Sequence, residues 1–253
     1  MINLELGGKG VFITGSGGEI GAALALGFAG EGAKVAVVDI DKSKAEATAH
    51  RIAQQGGRAI PLACDVSRWE QVHAAVERAT SELGRVDVLV NVAAAPLLRA
   101  PVEDLPLETW QFIVDVNLQG TFYCCRAVVP QMKARRWGKI VNFSSTSGRR
   151  GAQEGSSAYG ASKAGVIGFT STIARELGPH AINVNCIAPG TIATARFWAG
   201  STRERIEAHQ QTLPLRRVGT PDDLVGIVLL LSSERASYIT GQTITVDGGW
   251  LGL

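Results

Sequence analysis

Tyr159 and Lys163 stand four residues apart in the run Tyr159-Gly160-Ala161-Ser162-Lys163. On a helix that spacing puts a phenol and an ammonium on one face. A phenol of ordinary pKa, about 10, shuttles protons poorly at neutral pH, and a fixed cation beside it lowers that value. The pair therefore offers a general acid/base. Upstream, the apolar run 139–143 ends in Ser144-Ser145-Thr146-Ser147-Gly148, which delivers hydroxyls to the end of a strand. A serine there can hold a substrate oxygen as it gains charge. Tyr-x-x-x-Lys alone also describes an ordinary helix-surface pair, and the serine run alone an ordinary polar turn; their order and neighbours give them weight.

A second chemistry is written near the start of the chain. Gly15, Gly17, Gly18 and Gly21 follow the apolar run 11–14 and lead, through Ile20, into a helical pattern. Glycines between a first strand and a first helix let a pyrophosphate approach the backbone and meet the N–H groups of the helix start. Asp39, 24 residues after Gly15, stands where a carboxylate takes up the ribose hydroxyls of a dinucleotide and repels the extra phosphate of NADP. NAD is the expected cofactor. Without the glycine turn, Asp39 would read as a solvated turn residue or a helix cap.

These residues need elements to hold them. Short Val- and Ile-rich runs at 11–14, 34–39, 58–63, 86–91, 139–143, 182–187 and 243–246 read as strands. Their near-continuous apolar character suits strands buried on both faces. Amphipathic stretches at 20–31, 44–55, 69–83, 107–133, 157–177 and 222–231 read as helices, with Gly32 and Gly56 as stops, Ser67 as an N-cap and Thr220-Pro221-Asp222-Asp223 as a start. The alternation predicts an α/β fold: one single-domain doubly wound parallel sheet (Rossmann-like) over 1–253, with helices on both faces. The segment of about 191–217 has no strand pattern and follows a strand's carboxyl end, where α/β sheets bind ligands; it is expected to be a substrate lid.

Composition limits the alternatives. In 253 residues, 45% are hydrophobic and 19% charged, which supplies a large core and excludes disorder for most of the chain. A net charge of +2 with no charge block argues against nucleic-acid and anionic-membrane partners. The apolar runs are far shorter than the ~20 residues a membrane span requires. Cys64, Cys124, Cys125 and Cys186 show no C-x-x-C spacing, and the four histidines are scattered, His209 within the lid segment. Reduced buried thiols, no metal and, with no secretory leader visible, a cytoplasmic location are expected.

With these motifs in order, the chain resembles the short-chain dehydrogenase/reductase family from about Lys9 to Trp250. The resemblance is carried by Thr14-Gly15-x-x-x-Glu19-x-Gly21, Asp65-Val66, Asn91-Val92-Ala93-Ala94, Asn117, Ser145, Tyr159-x-x-x-Lys163, Pro189-Gly190 with Thr194, and Thr240-Gly241-Gln242 through Val246-Asp247-Gly248-Gly249. It implies Tyr159 as acid/base, Ser145 as anchor of the substrate oxygen, Lys163 as pKa modifier and nicotinamide-ribose ligand, and Asn117 as holder of a relay water. It also implies Asp65 and Val66 at the adenine, Asn91 and Ala93 bracing the cofactor pocket, and Ile192 and Thr194, after Pro189-Gly190, at the nicotinamide carboxamide. Three departures stand out: Glu19 replaces a fingerprint glycine and must point outward to spare the pyrophosphate, Val92 and Ala94 replace an amide and a glycine, and Ser145 lies one residue further from Tyr159 than usual. Thr146 matches the usual spacing, but Ser145 fits the serine pattern and is preferred.

The resulting expectation is an NAD-dependent oxidoreductase that interconverts a small-molecule alcohol (a sugar, polyol or other small secondary hydroxy compound) and its ketone by hydride transfer. A 3-oxoacyl thioester reductase is the alternative, and a non-catalytic nucleotide-sensing regulator is the rival of another class. Phe112, Phe122, Val166, Ile167 and Phe169 exceed what one buried stripe of their helices requires. With the family resemblance, that excess leads to an expected homotetramer.

Overall fold

The computed structural model describes residues 3–199 and 202–251, so Gly200 and Ser201 of the expected lid and the extreme termini lie outside it. Seven strands, β1 Gly10–Thr14, β2 Lys34–Asp39, β3 Arg58–Ala63, β4 Val88–Asn91, β5 Gly138–Phe143, β6 Ile182–Pro189 and β7 Thr243–Val246, pair in parallel in the order 3-2-1-4-5-6-7. Ten α-helices connect and flank them among the described residues. They are α1 Glu19–Gly30, α2 Lys42–Gln54, α3 Trp69–Leu83, α4 Leu107–Val114, α5 Gly120–Arg135, α6 Ser147–Arg150, α7 Ser157–Leu177, α8 Ala195–Ala199, α9 Arg203–Thr212 and α10 Asp222–Leu231.

Successive strand residues point to opposite faces, and the core divides accordingly. Val11 and Ile13 of β1, with Val35 and Val37 of β2, meet Leu24 and Phe28 of α1, Ile52 of α2 and Leu224 and Val228 of α10. Phe12, Ala36 and Val38 face the other way, onto Val72 and Val76 of α3, Val128 of α5 and Ile173 of α7. Both faces of every central strand are thus covered, which is why those runs are apolar throughout and why the sheet is parallel. The strand order reverses between β1 and β4, and there the carboxyl ends open a crevice.

Four local expectations are corrected. The predicted strand 86–91 begins only at Val88, because buried Asp87 turns its carboxylate to the Gly10 amide and to Arg85. The predicted helix 107–133 is interrupted by a π-turn, Asp115–Gln119, between α4 and α5. Ser67 does not cap α3; its amide and hydroxyl both donate to Asp65 Oδ1. Val166, assigned to a second apolar face of α7, is fully buried in the core.

Candidate active site

β5 and α7 bring the serine, tyrosine and lysine to one place at the carboxyl edge of the sheet. Lys163 lies within α7, 3% exposed, and its Nζ donates to the Phe143 carbonyl at the end of β5 (2.8 Å). Its ammonium is 5.9 Å from the centre of the Tyr159 ring, so the two side chains share a face as their spacing requires. Burial lowers the Lys163 pKa from 10.5 to about 8. Ser145 is the second residue after β5, half-buried, with Oγ accepting from the Ser147 amide (3.1 Å), whereas Thr146 is 4% exposed. The hydroxyl nearer the surface is therefore that of Ser145. Gly148 permits this arrangement: a Cβ there would lie 2.6 Å from the Lys163 carbonyl carbon, so any side chain would part α6 from α7.

Asn117 sits inside the π-turn and is fully buried. Its Oδ1 accepts from the Ala95 amide (2.8 Å), and its Nδ2 donates to Ser162 Oγ (2.9 Å), whose hydroxyl donates to the Tyr159 carbonyl (2.8 Å). The amide thus ties the loop after β4 to the Tyr159 turn of α7. The Asn117 carbonyl accepts from Thr121 Oγ1 (2.8 Å). An inserted residue of this kind re-aims backbone groups and commonly marks functional positions.

The glycine turn lies one strand away from β4. Gly15 has φ 65°, and a Cβ on it would stand 2.8 Å from the Ala93 Cα, so the turn and the loop after β4 make backbone contact. Thr14 Oγ1 reinforces that contact by accepting from the Val92 and Ala93 amides (3.1 and 3.2 Å). No side chain caps α1 at Gly18, which leaves its first turn to an outside acceptor. Asp39 ends β2 and accepts from the Gly17 amide through Oδ2 (3.0 Å) and from the Asp41 amide through Oδ1 (3.0 Å). Its carboxylate is thereby fixed against the glycine turn, while Asp41, not Asp39, caps α2. Asn91 is buried beside Asn142, to which its Nδ2 donates (2.9 Å), and its Oδ1 has no partner. Asp65 and Val66 follow β3, with Val66 packed on Gly120.

A family model described as enoyl-(acyl carrier protein) reductase matches residues 15–251. The 3-oxoacyl-acyl-carrier-protein reductase FabG of Thermotoga maritima is 40% identical over 97% of this chain and 99% of its own. The chain belongs to the short-chain dehydrogenase/reductase family. Galactitol 2-dehydrogenase of Agrobacterium fabrum is 38% identical over 98% of this chain and 100% of its own. A solved structure of NAD+-bound xylitol dehydrogenase superposes with a TM-score of 0.92 at 31% identity, covering 97% of this chain and 100% of that one. As a short-chain dehydrogenase/reductase, the protein is an oxidoreductase.

In this short-chain dehydrogenase/reductase the segment after β6 leaves and rejoins the body at one point. Pro189 closes β6, Gly190 donates to the Val246 carbonyl (2.9 Å), and Ile192 forms a bridge with Gly219. Between these ends stand α8 and α9. Thr194 Oγ1 accepts from the Phe197 amide (3.3 Å), and the Phe197 and Trp198 rings meet edge to face at 5.1 Å, with Trp198 48% exposed. His209 is no lone surface residue: its Nε2 is paired with Thr191 Oγ1 (2.8 Å), and its ring stands edge-on to Trp250. Arg150 lies over the ring of that tryptophan, 4.4 Å from its centre. Sequence reasoning missed Ile40, 71% exposed directly after Asp39, whose exposure no periodicity announces. It also missed the partner of Glu19, whose Oε2 accepts from the Ala195 amide (2.7 Å).

All four cysteines are buried and reduced. Burial pushes Cys125 up to about 12 and Cys186 to about 11, so neither supplies a thiolate near neutrality. Among the described residues no helix is long and apolar enough to cross a membrane.

Proposed function

We propose that the protein is an NAD-dependent oxidoreductase of the family, interconverting a small secondary alcohol, of the sugar or polyol kind, and its ketone. The carrying observation is the buried Lys163 ammonium behind the Tyr159 ring at the end of β5, one crevice away from the glycine turn. The residues around the turn fit a dinucleotide. Gly15 is a cradle that a Cβ would fill, α1 has no side-chain cap, and the Asp39 carboxylate is already oriented on the turn. Gly15, Gly17, Gly18, Ile20 and Gly21 hold the pyrophosphate end, Asp39 the adenosine ribose, and Asp65 with Val66 the adenine. Asn91 and Ala93 brace the middle, and Pro189, Gly190, Ile192 and Thr194 take the nicotinamide side. NAD supplies the hydride acceptor.

Within that frame Ser145 donates a hydrogen bond to the substrate oxygen. Tyr159 removes the hydroxyl proton in oxidation and returns it in reduction. Lys163 favours the phenolate electrostatically and holds the nicotinamide ribose. Asn117 positions the Tyr159 turn through Ser162 and holds the relay water. The segment 191–217 closes over the substrate. We assign the protein to the cytoplasm, with no nucleic-acid or membrane partner, as a homotetramer.

A 3-oxoacyl thioester reductase is the second reading, favoured by the description of the matching family model and by the similarity to FabG. The fixed carboxylate of Asp39 ranks it lower. A non-catalytic regulator ranks last, because the Ser145, Tyr159, Lys163 and Asn117 set is intact.

The test is a panel of polyols, sugars and 3-oxoacyl thioesters followed by NADH and NADPH absorbance, with Tyr159→Phe beside the wild type. Polyol oxidation with NAD+, lost by at least about 10²-fold in Tyr159→Phe at unchanged NAD+ affinity, is the expected result. A strong NADPH preference with thioesters would establish the second reading, and NAD+ binding without turnover of any substrate the third.

A further inference from the structure

Glu19 stands where the family pattern has glycine, at the first residue of α1, on the rim of the glycine turn. Its carboxylate reaches across the crevice to the segment after β6 and accepts from the amide of Ala195, the first residue of α8, at 2.7 Å. The two residues are 176 positions apart, so the contact ties together two distant parts of the chain. The rest of that segment is held elsewhere. The Gly219 amide donates to the Thr191 carbonyl and the Gly219 carbonyl accepts from the Ala193 amide, His209 is held by Thr191, the Leu215 amide donates to the Gly248 carbonyl, and Arg217 grips Asp223. These ties secure the stem and the α9 side. α8 is drawn onto the glycine turn by Glu19.

The geometry points to Glu19 as a latch: it holds α8 down over the phosphate turn, and its negative charge opposes the dinucleotide that the turn is built to receive. A charge-assisted bond from a carboxylate to a backbone N–H is among the stronger hydrogen bonds. It orders a short helix that has little packing of its own, since Trp198 is half-exposed. The same carboxylate, on the first residue of α1, places a like charge beside an arriving pyrophosphate. Lid order and cofactor affinity are therefore set against each other by one side chain. Glu19 is a positioning residue, and this role rests on the reading of the glycine turn as the cofactor seat.

Two variants separate bond from charge. Glu19→Gln keeps an oxygen acceptor for the Ala195 amide and removes the charge; Glu19→Ala removes both. Glu19 is exposed, so neither should impair folding, and thermal unfolding provides the control. Hydrogen–deuterium exchange of the peptide covering 191–199 is measured without cofactor, and NAD+ affinity by calorimetry. The expected result is exchange at least about fivefold faster in Glu19→Ala and near wild type in Glu19→Gln, with NAD+ bound about three- to tenfold tighter by Glu19→Gln. Unchanged exchange in Glu19→Ala, or equally fast exchange in both variants, would overturn the latch. NAD+ affinity unchanged or weaker in Glu19→Gln would overturn the charge opposition. A wild type that binds no NAD+ would instead refute the cofactor reading, and the exchange comparison would still decide the latch.

Discussion

Lys163 carries a cost that its position explains. An ammonium 3% exposed loses most of its hydration, and the Phe143 carbonyl replaces only part of it. Its pKa accordingly falls from 10.5 to about 8. Between those values the unfolded chain holds a proton that the folded chain has released, so stability from this group rises with pH. It is fully present above 10.5 and lost as pH falls through about 8. We expect the stability difference between wild type and Lys163→Met, measured by urea unfolding, to move in favour of the wild type by on the order of 2 kcal/mol from pH 7 to pH 10. Activity of Lys163→Met should fall at least about 10²-fold at neutral pH, where the wild-type ammonium is charged. A difference that stays flat with pH would mean that the lysine is not buried charged. At this scale the grouping of Tyr159, Lys163 and Ser145 was legible, because these residues are defined by type and spacing. The partners were not: nothing in the spacing of Asn117 shows that its amide spans Ala95 and Ser162, since those bonds follow from the π-turn.

Elements decide whether the segment after β6 can serve as a lid. Its stem is narrow: Ile192 pairs with Gly219, and Arg217 makes two bonds of 2.7 Å to the Asp223 carboxylate at the start of α10. The guanidinium, with the Thr220 amide, holds the Asp223 carboxyl well below the usual carboxylate range. The sign is that of a depressed acid: the contribution is complete above the ordinary carboxylate pKa and disappears only as pH falls through the lowered one. Asp223→Asn should therefore loosen the stem at neutral pH. The expected outcome is a severalfold rise in substrate KM with kcat changed less, and faster proteolysis within 202–216; the wild type should show unchanged proteolysis down to about pH 4. Equal cleavage rates for the two proteins would show that the stem does not depend on this pair. Strands and helices were legible almost throughout because both faces of the sheet are covered and each element is short. The π-turn was not, because one inserted residue shifts the helical phase without removing any apolar position. The Thr220-Pro221-Asp222-Asp223 start was read from local chemistry alone and α10 does begin at Asp222, but no side chain caps its donors; Asp223 instead accepts from the Thr220 amide (2.7 Å).

For the whole molecule, the face made by α4 and α5 is the feature the isolated chain leaves unsatisfied. Leu107 is 84% exposed, and Trp110, Phe112 and Phe122 are each 40% exposed or more. Phe122 stands edge to face with Phe169 of α7, 6.1 Å between centres, so the patch continues from α5 to α7. Apolar rings gathered on neighbouring helices mark an interface more often than they mark open surface. The sequence overstated the patch by counting Val166, since periodicity records how many apolar positions a helix has and not which of them the sheet covers. α7 carries Tyr159 and Lys163, and the π-turn between α4 and α5 carries Asn117, so packing between subunits would stiffen the ground on which the proposed proton transfer depends. A doubly charged variant, Phe112→Glu with Phe122→Glu, is expected to sediment at a smaller mass than the wild type. Its specific activity should fall severalfold while the far-ultraviolet circular dichroism stays native. Sedimentation of both proteins at one mass would remove this face from the assembly, and reduced mass at full activity would show that the site is complete in one chain.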